Sequence, residues 1–188
     1  MTSKQKAAEP RRLPGDPTLA QEVERALRVD HAGEYGAVRI YAGQLAVLGR
    51  RGRAAEAVRH MAAQEERHLA AFESLLADRG VRPTALAPVW NVAGFALGAA
   101  TALLGDRAAM ACTEAVEEVI DGHYRRQVKR LAGAEPKLAE TLEHFRGEEI
   151  KHRDIARAEG AQEAPGYPVL TGTVRTATRL AIWLSERI

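Results

Sequence analysis

The stretch that decides the fold is Glu65–His68, EERH, together with its second copy, EIKH, at Glu149–His152. Residues three positions apart lie on one face of a helix, so each copy directs a carboxylate and an imidazole the same way. Working outward, a glutamate stands 31 or 32 positions before each copy, at Glu34 and Glu117. Equivalent residues of the two halves are 83 or 84 positions apart, which indicates a duplicated helical hairpin.

Apolar residues recur at helical spacing along most of the chain, and glycine or proline marks the predicted helix ends. The predicted long helices run from an Asp16-Pro17 start to about Leu48, from about Arg53 to Asp78, from near Asp106 to about Leu131, and from Pro136 to about Glu159. A loop, GAQEAPGYP, precedes a short amphipathic helix, TVRTATRLAIWLSERI, at the C-terminus. No strand pattern of useful length is present. The predicted fold class is an all-α, ferritin-like four-helix bundle built from two repeated hairpins, plus an apolar crossover helix and the C-terminal helix.

Composition narrows the classes of function. The 188 residues are 46% hydrophobic but only 5% aromatic, so alanine and leucine supply most of the core. A net charge of +2 is too small to indicate a nucleic-acid partner. The single cysteine, Cys112, excludes an intrachain disulfide framework and is expected to be a small buried residue.

The repeat predicts a dinuclear metal centre. A spacing of 31 to 32 residues fits a helix, a short turn and an antiparallel partner, so four helices would bring six side chains to one midpoint. These are the predicted metal ligands Glu34, Glu65, His68, Glu117, Glu149 and His152, of which the four glutamates are also the predicted catalytic residues. Four buried carboxylates would repel one another, whereas two divalent cations would balance their charge. The alternative is that these Glu and His residues lie on solvent-exposed helix faces. Such faces have no reason to repeat at matched intervals. We therefore expect residues 16–188 to form one ferritin-like domain with a di-iron or di-manganese carboxylate site, after a flexible tail of residues 1–15.

A histidine and a tyrosine also recur in each half of the repeat. His60 and His144 precede the Glu-x-x-His glutamates by five positions, which favours the surface or a place behind the ligands over ligation. Tyr41 and Tyr124 follow the upstream glutamates by seven positions. Either they pack in the core, or they have a hydrogen-bonding or redox role beside the metals.

Three polar residues lie near the upstream glutamates in sequence, and each has more than one candidate role. His123 is six positions from Glu117, which argues against ligation and leaves a polar relay as an alternative. Asp30 and Asp121 lie one turn from an upstream glutamate and are candidates for orienting a ligand imidazole.

Glycines surround Glu34, although each costs a helix interior about 1 kcal/mol relative to alanine. We interpret Gly33, Gly36 and Gly43 as removing bulk so that a facing helix or a substrate ring can approach the backbone. The second half reads AVEEVI where the first reads AGEYGA, so a pocket is expected to open on the Glu34 side.

The segment Pro88–Gly105, PVWNVAGFALGAATALLG, has no charged residue. Three interpretations stay open: a membrane span, a buried crossover helix, or an amphipathic element in the membrane interface together with RLAIWLSERI. A helix of 18 residues is about 27 Å long, which is short for a span.

The four ligand segments resemble the demethoxyubiquinone hydroxylases, the di-iron monooxygenases of ubiquinone biosynthesis. The similarity covers roughly residues 19–160 and rests on LRVDHAGEYGAVRIYAGQ, AAQEERHLAAFE, CTEAVEEVIDGHYRRQ and FRGEEIKHRDIA. It implies that the six ligands hold two iron ions, with Glu65 and Glu149 as bridges. It also implies O2-dependent hydroxylation of a 2-polyprenyl-3-methyl-6-methoxy-1,4-benzoquinone at the ring carbon that still carries hydrogen, the penultimate step of the pathway.

The same resemblance implies a peripheral protein on the cytoplasmic side of a bacterial inner membrane, working beside other ubiquinone-synthesis proteins. No Rossmann or flavin motif is apparent, so electrons are expected from a partner protein or from nicotinamide, directly or through the quinone. One rival function is a ferritin-like or rubrerythrin-like protein that oxidises iron or handles peroxide. A second is a helical interaction module with incidental Glu/His pairs.

Overall fold

The computed structural model describes residue 13 and residues 15–50 and 52–188, and within them it is all-α. The helices are α1 (Leu19–Leu48), α2 (Arg53–Arg79), α3 (Ala87–Leu103), α4 (Asp106–Leu131), α5 (Pro136–Ala158) and α6 (Tyr167–Ser185), with a 3-10 helix at Ala161–Glu163. No strand occurs among these residues, which confirms the predicted fold class. The predicted tail of residues 1–15 lies almost wholly outside the described residues.

Two hairpins form the bundle, as the repeat predicted. Helix α1 packs against α2, and α4 packs against α5. Helix α3, which connects the hairpins, lies along α1, while α6 lies against α4. The two additional helices, α3 and α6, therefore each cover one side of a bundle helix, α1 and α4 respectively.

The core has two main parts, one on each side of the bundle's midpoint. One part contains Leu27, Phe72 and Leu142, and the other contains Val58 and Met110, each fully buried. Packing at both ends fixes the four helices, so polar side chains between the two parts are held by apolar layers above and below.

Two helix starts differ from the prediction. Helix α1 begins at Leu19 because Thr18 is its N-cap: its hydroxyl accepts from the Gln21 amide, and the Gln21 side chain accepts from the Thr18 amide. This reciprocal capping box satisfies amides that an Asp16-Pro17 start would leave unpaired. Helix α6 begins six residues before the predicted segment, because Pro168 fits the first turn of a helix.

Glycines bring the backbones of α1 and α3 together. A Cβ added at Gly43 would lie 2.1 Å from the Phe95 carbonyl oxygen, and one added at Gly98 would lie 1.9 Å from the Ile40 carbonyl oxygen. Gly43 therefore allows a helix to approach. Gly36 differs, since a Cβ there would have no neighbour within 4 Å.

Helix α3 is buried on one side only. Its Val92 and Leu103 side chains are 70% and 75% exposed, so the interpretation of a fully buried crossover helix is wrong. Within the described part of the chain, every helix is too short or too polar to cross a bilayer.

Candidate metal centre

All six predicted ligands meet between the two parts of the core. Helix α1 contributes Glu34 and α4 contributes Glu117, while α2 and α5 each contribute one Glu-x-x-His pair. Each of the six residues is at most 3% exposed. The i, i+3 spacing works as expected, because both members of each pair point inward from adjacent turns.

The six side chains form two overlapping groups. Glu34, Glu65, His68 and Glu149 form one, and Glu65, Glu117, Glu149 and His152 form the other. Within a group, one potential ligand atom from each residue lies within 4.8 Å of the others. Glu65 and Glu149 belong to both groups, so the arrangement could hold two adjacent metal ions with two shared carboxylates.

Atoms without partners indicate that the site suits cations. Glu65 Oε1, His68 Nδ1 and Glu149 Oε1 are buried and make no hydrogen bond of good geometry among the described residues, although His68 Nδ1 lies 3.0 Å from Glu149 Oε1. Leaving a buried polar atom unpaired is costly, and carboxylate oxygens and imidazole nitrogens are the donors that divalent metals prefer. The residues present therefore fit a pair of metal ions.

Without metal, the cluster retains protons. Burial, and then the nearby Glu149 carboxylate, raise the pKa of Glu65 and of Glu117 well above the usual range. Burial also opposes ionisation of Glu149, but its contacts with His152 and His68 lower its pKa to about 2. Burial lowers the pKa of His68, yet contacts with Glu149 and Glu34 outweigh it and raise that pKa to about 11.

The two repeated tyrosines connect the halves of the molecule. Tyr41 of α1 donates a hydrogen bond to Glu117 Oε1 of α4 at 3.0 Å. Tyr124 of α4 donates to Glu34 Oε1 of α1. Both tyrosines are buried, so their hydroxyls hold carboxylates while their rings pack in the core.

The prediction that Asp30 and Asp121 orient ligand imidazoles is wrong. Asp30 accepts a hydrogen bond from Gln127 at 2.8 Å, and Asp121 accepts one from Arg146 at 2.7 Å. The outer imidazole nitrogens instead face two residues that the sequence analysis missed, Gln64 and Glu148. Each stands immediately before a Glu-x-x-His motif, and that matched position was the signal that could have revealed them.

The remaining candidates lie outside the two groups. His60 and His144 are exposed, as expected. His123 is buried, with Nε2 3.4 Å from Asp30 Oδ1 rather than beside the ligands. Cys112 is fully buried, as predicted, and burial raises the pKa of its thiol to about 12.

An apolar pocket of about 150 Å³ lies between α1, α3, α4 and α6. Gly33 and Gly36, which flank Glu34, line one wall, and Val116, next to Glu117, lines another. Trp90 and Ser185 lie at the α3 and α6 side, where the Trp90 indole donates to the Ser185 hydroxyl at 3.0 Å. The pocket thus contacts the helices of both upstream glutamates, so the expectation that it opens on the Glu34 side stays a prediction.

The fold and the site together define an all-α bundle protein with two overlapping buried Glu/His groups that could bind metal, next to an apolar pocket. Residues 21–185 match the family described as Ubiquinone biosynthesis protein COQ7, and the chain belongs to that family.

Named relatives agree with this assignment. The chain is 61% identical over 177 residues to a 3-demethoxyubiquinol 3-hydroxylase of Rhodospirillum rubrum, an alignment that covers 94% of this chain and 84% of the relative. It is 51% identical over 170 residues to the mitochondrial NADPH-dependent 3-demethoxyubiquinone 3-hydroxylase of Homo sapiens, covering 88% and 78% of the two chains. A 5-demethoxyubiquinone hydroxylase of Saccharomyces cerevisiae is 43% identical over 182 residues, with coverage of 88% and 78%.

Proposed function

We propose that this protein is an O2-dependent di-iron monooxygenase that hydroxylates the ring of a polyprenylated demethoxyubiquinone in the penultimate step of ubiquinone biosynthesis. The observation that supports it best is the pair of buried Glu/His groups, together with an apolar pocket whose lining includes Gly33 and Val116, the chain neighbours of Glu34 and Glu117. The names of the relatives supply the substrate class and the reaction.

Six residues would hold the two iron ions. Glu34 and His68 would bind one ion and Glu117 and His152 the other, with Glu65 and Glu149 bridging, as their membership of both groups supports. Oxygen-rich ligation with one imidazole per metal suits iron. When bound, the iron pair would supply O2 activation for ring hydroxylation. The four carboxylates balance the charge of two divalent ions, while Tyr41 and Tyr124 keep two of those carboxylates in place.

The apolar pocket would hold the quinone ring. Gly33 and Gly36 leave open space on the wall that carries Glu34, and Val116 and Ile120 provide apolar contact from α4. A predominantly apolar lining excludes water from the reacting ring and favours a hydrocarbon-substituted substrate. A ferritin-like or rubrerythrin-like protein would have no use for such a pocket, so the hydroxylase is the better-supported function.

A nicotinamide nucleotide is the proposed source of electrons, because the human relative is named as NADPH-dependent. The sequence left two electron sources open, a partner protein and a nicotinamide. The name of the human relative favours the nicotinamide.

The exposed sides of α3 and α6 would bind a membrane surface. Val89, Val92 and Phe95 on α3 and Leu180 and Trp183 on α6 are exposed apolar side chains. The pocket lies between these two helices and the metal centre, so a substrate with a polyprenyl tail could keep the tail in lipid. We propose peripheral attachment at the cytoplasmic side of a bacterial inner membrane, alongside other ubiquinone-synthesis proteins.

The decisive experiment measures oxygen-dependent product formation from a demethoxyquinone with added reductant. Wild type should form the hydroxylated quinone, and Glu149→Ala, which lacks a shared carboxylate, should lose at least a hundredfold in turnover and part of its iron. Iron oxidation without any quinone product would instead favour the ferritin-like function.

Substitution in the pocket separates substrate binding from metal binding. Gly36→Leu should fill the open wall, reduce turnover by about tenfold or more and leave iron content nearly unchanged. Loss of iron in proportion to activity would contradict the assignment of this wall to the substrate.

A further inference from the structure

Each ligand histidine has one ring nitrogen facing the metal groups and the other facing the opposite hairpin. His68 Nδ1 lies 3.0 Å from Glu149 Oε1, while its Nε2 lies 2.6 Å from Glu148 Oε2. The Nε2 partner of His68 is therefore a carboxylate. Glu148 is 18% exposed at its side chain, so it stands between the buried imidazole and solvent.

The second histidine has a neutral partner. His152 Nδ1 lies 2.9 Å from Glu65 Oε1, and its Nε2 lies 3.0 Å from Gln64 Oε1. Gln64 Nε2 donates to Glu148 Oε1 at 3.3 Å. One hydrogen-bonded chain therefore runs from His152 through Gln64 and Glu148 to His68.

Gln64 and Glu148 are equivalent positions of the repeat, 84 residues apart, each directly before a shared glutamate. The ligands themselves are matched, since each group has one terminal glutamate, one histidine and the same two shared glutamates. The repeat is therefore symmetric in its ligand types and asymmetric in the residue behind each imidazole.

This asymmetry has a chemical consequence. A carboxylate that accepts a hydrogen bond from an imidazole N–H makes the opposite ring nitrogen a stronger electron-pair donor to a metal ion. It also adds negative charge near that ion. An amide oxygen in the same position polarises the ring less and adds no charge. An ion bound through His68 would thus be held by the imidazole that donates its electron pair more strongly.

We propose that Glu148 and Gln64 are positioning residues that make the two metal positions unequal, so that the position of Glu34 and His68 binds a divalent ion first and more tightly than that of Glu117 and His152. The inference rests on the proposed metal centre and adds an order of filling to it.

The test is an anaerobic titration of the metal-free full-length chain with Co²⁺, followed by calorimetry and by Co²⁺ absorption. Wild type should bind two equivalents in two resolved steps. Glu148→Gln should weaken the first step by about tenfold and narrow the separation of the steps. The exchange variant Gln64→Glu/Glu148→Gln, which preserves net charge and side-chain size, should restore the separation.

Spectroscopy identifies the filled position. With one equivalent of Co²⁺, the hyperfine-shifted imidazole N–H signal should belong to His68 in wild type and to His152 in the exchange variant. The same histidine in both proteins would overturn the inference.

A matched control uses Glu140→Gln, the same change at an exposed residue of α5, and should give the wild-type isotherm. If Glu148→Gln also gives that isotherm, the asymmetry is overturned, while binding of two equivalents still supports the metal centre. Wild type that binds no Co²⁺ would overturn both proposals.

Discussion

At the scale of single residues, the two halves of the repeat depend on each other. The hydroxyl of Tyr41 reaches Glu117, and that of Tyr124 reaches Glu34, so each tyrosine supports a carboxylate of the other half. The Oε1 atom of each upstream glutamate is thus held by a tyrosine of the other hairpin. The duplication is therefore a single site in physical terms, although it is two motifs in sequence.

Removal of one tyrosine hydroxyl should destabilise the metal-free protein. Tyr124→Phe leaves the buried Glu34 Oε1 without its donor, which should cost about 1 to 3 kcal/mol in the free energy of unfolding. Urea denaturation followed by circular dichroism measures the loss. Tyr35→Phe, a change at a half-buried tyrosine outside the cluster, is the control and should remain within about 0.5 kcal/mol of wild type. Equal losses in both variants would contradict the hydrogen-bonding role.

Metal binding should release protons. Burial and the Glu149 charge raise the pKa values of Glu65 and Glu117, and the pKa of His68 is about 11 because contacts with Glu149 and Glu34 outweigh burial. Near neutral pH the metal-free His68 therefore retains a proton that a metal ligand must lose, and the raised pKa values of Glu65 and Glu117 act in the same direction, so affinity should rise from about pH 6 to about pH 8. Calorimetric titrations with Co²⁺ in buffers of different ionisation enthalpy measure the protons released. Heats that do not depend on the buffer would show that the free cluster is already deprotonated.

At the scale of elements, α1 uses its glycines in two ways. Gly43 lets the α3 backbone approach, whereas Gly36 faces the open pocket. One helix therefore supplies both a close contact with its neighbour and the space beside Glu34. This division explains why a helix that carries a candidate metal ligand contains glycines, which weaken a helix.

The close contact between α1 and α3 predicts opposite effects for two glycine-to-alanine changes. Gly98→Ala would place a Cβ 1.9 Å from the Ile40 carbonyl oxygen, so the helices must separate at a cost of about 1 to 3 kcal/mol. At Gly147 in α5, an added Cβ would have no neighbour within 4 Å. Gly147→Ala should therefore stabilise the helix by up to about 1 kcal/mol. Thermal unfolding of both variants checks the signs. A neutral Gly98→Ala would show that α3 moves without penalty.

At the scale of the whole molecule, the repeat predicted the bundle and the six clustered side chains, because helical spacing alone determines which residues share a face. It could not predict which residue lies behind each imidazole. Asp30 and Gln64 both stood near ligands in sequence, but only the packing of α2 against α5 brings Gln64 to His152. The sequence also could not predict whether the apolar segment Pro88–Gly105 is buried or exposed. Only the contacts of its glycines with α1 reveal which side of α3 is covered.

The exposed apolar faces of α3 and α6 predict that the protein floats with anionic phospholipid vesicles. Val92 is 70% exposed and Trp183 is 50% exposed, and each would bury apolar surface in the interface. Glutamate at both positions should weaken partitioning at least tenfold, because each 1.4 kcal/mol of lost burial is a factor of about ten. Ser74→Glu adds a negative charge to an exposed residue of α2 and should float like wild type. If the Val92→Glu/Trp183→Glu variant also floats like wild type, lipid contact occurs elsewhere, and the polyprenyl tail would have to reach the pocket from another direction.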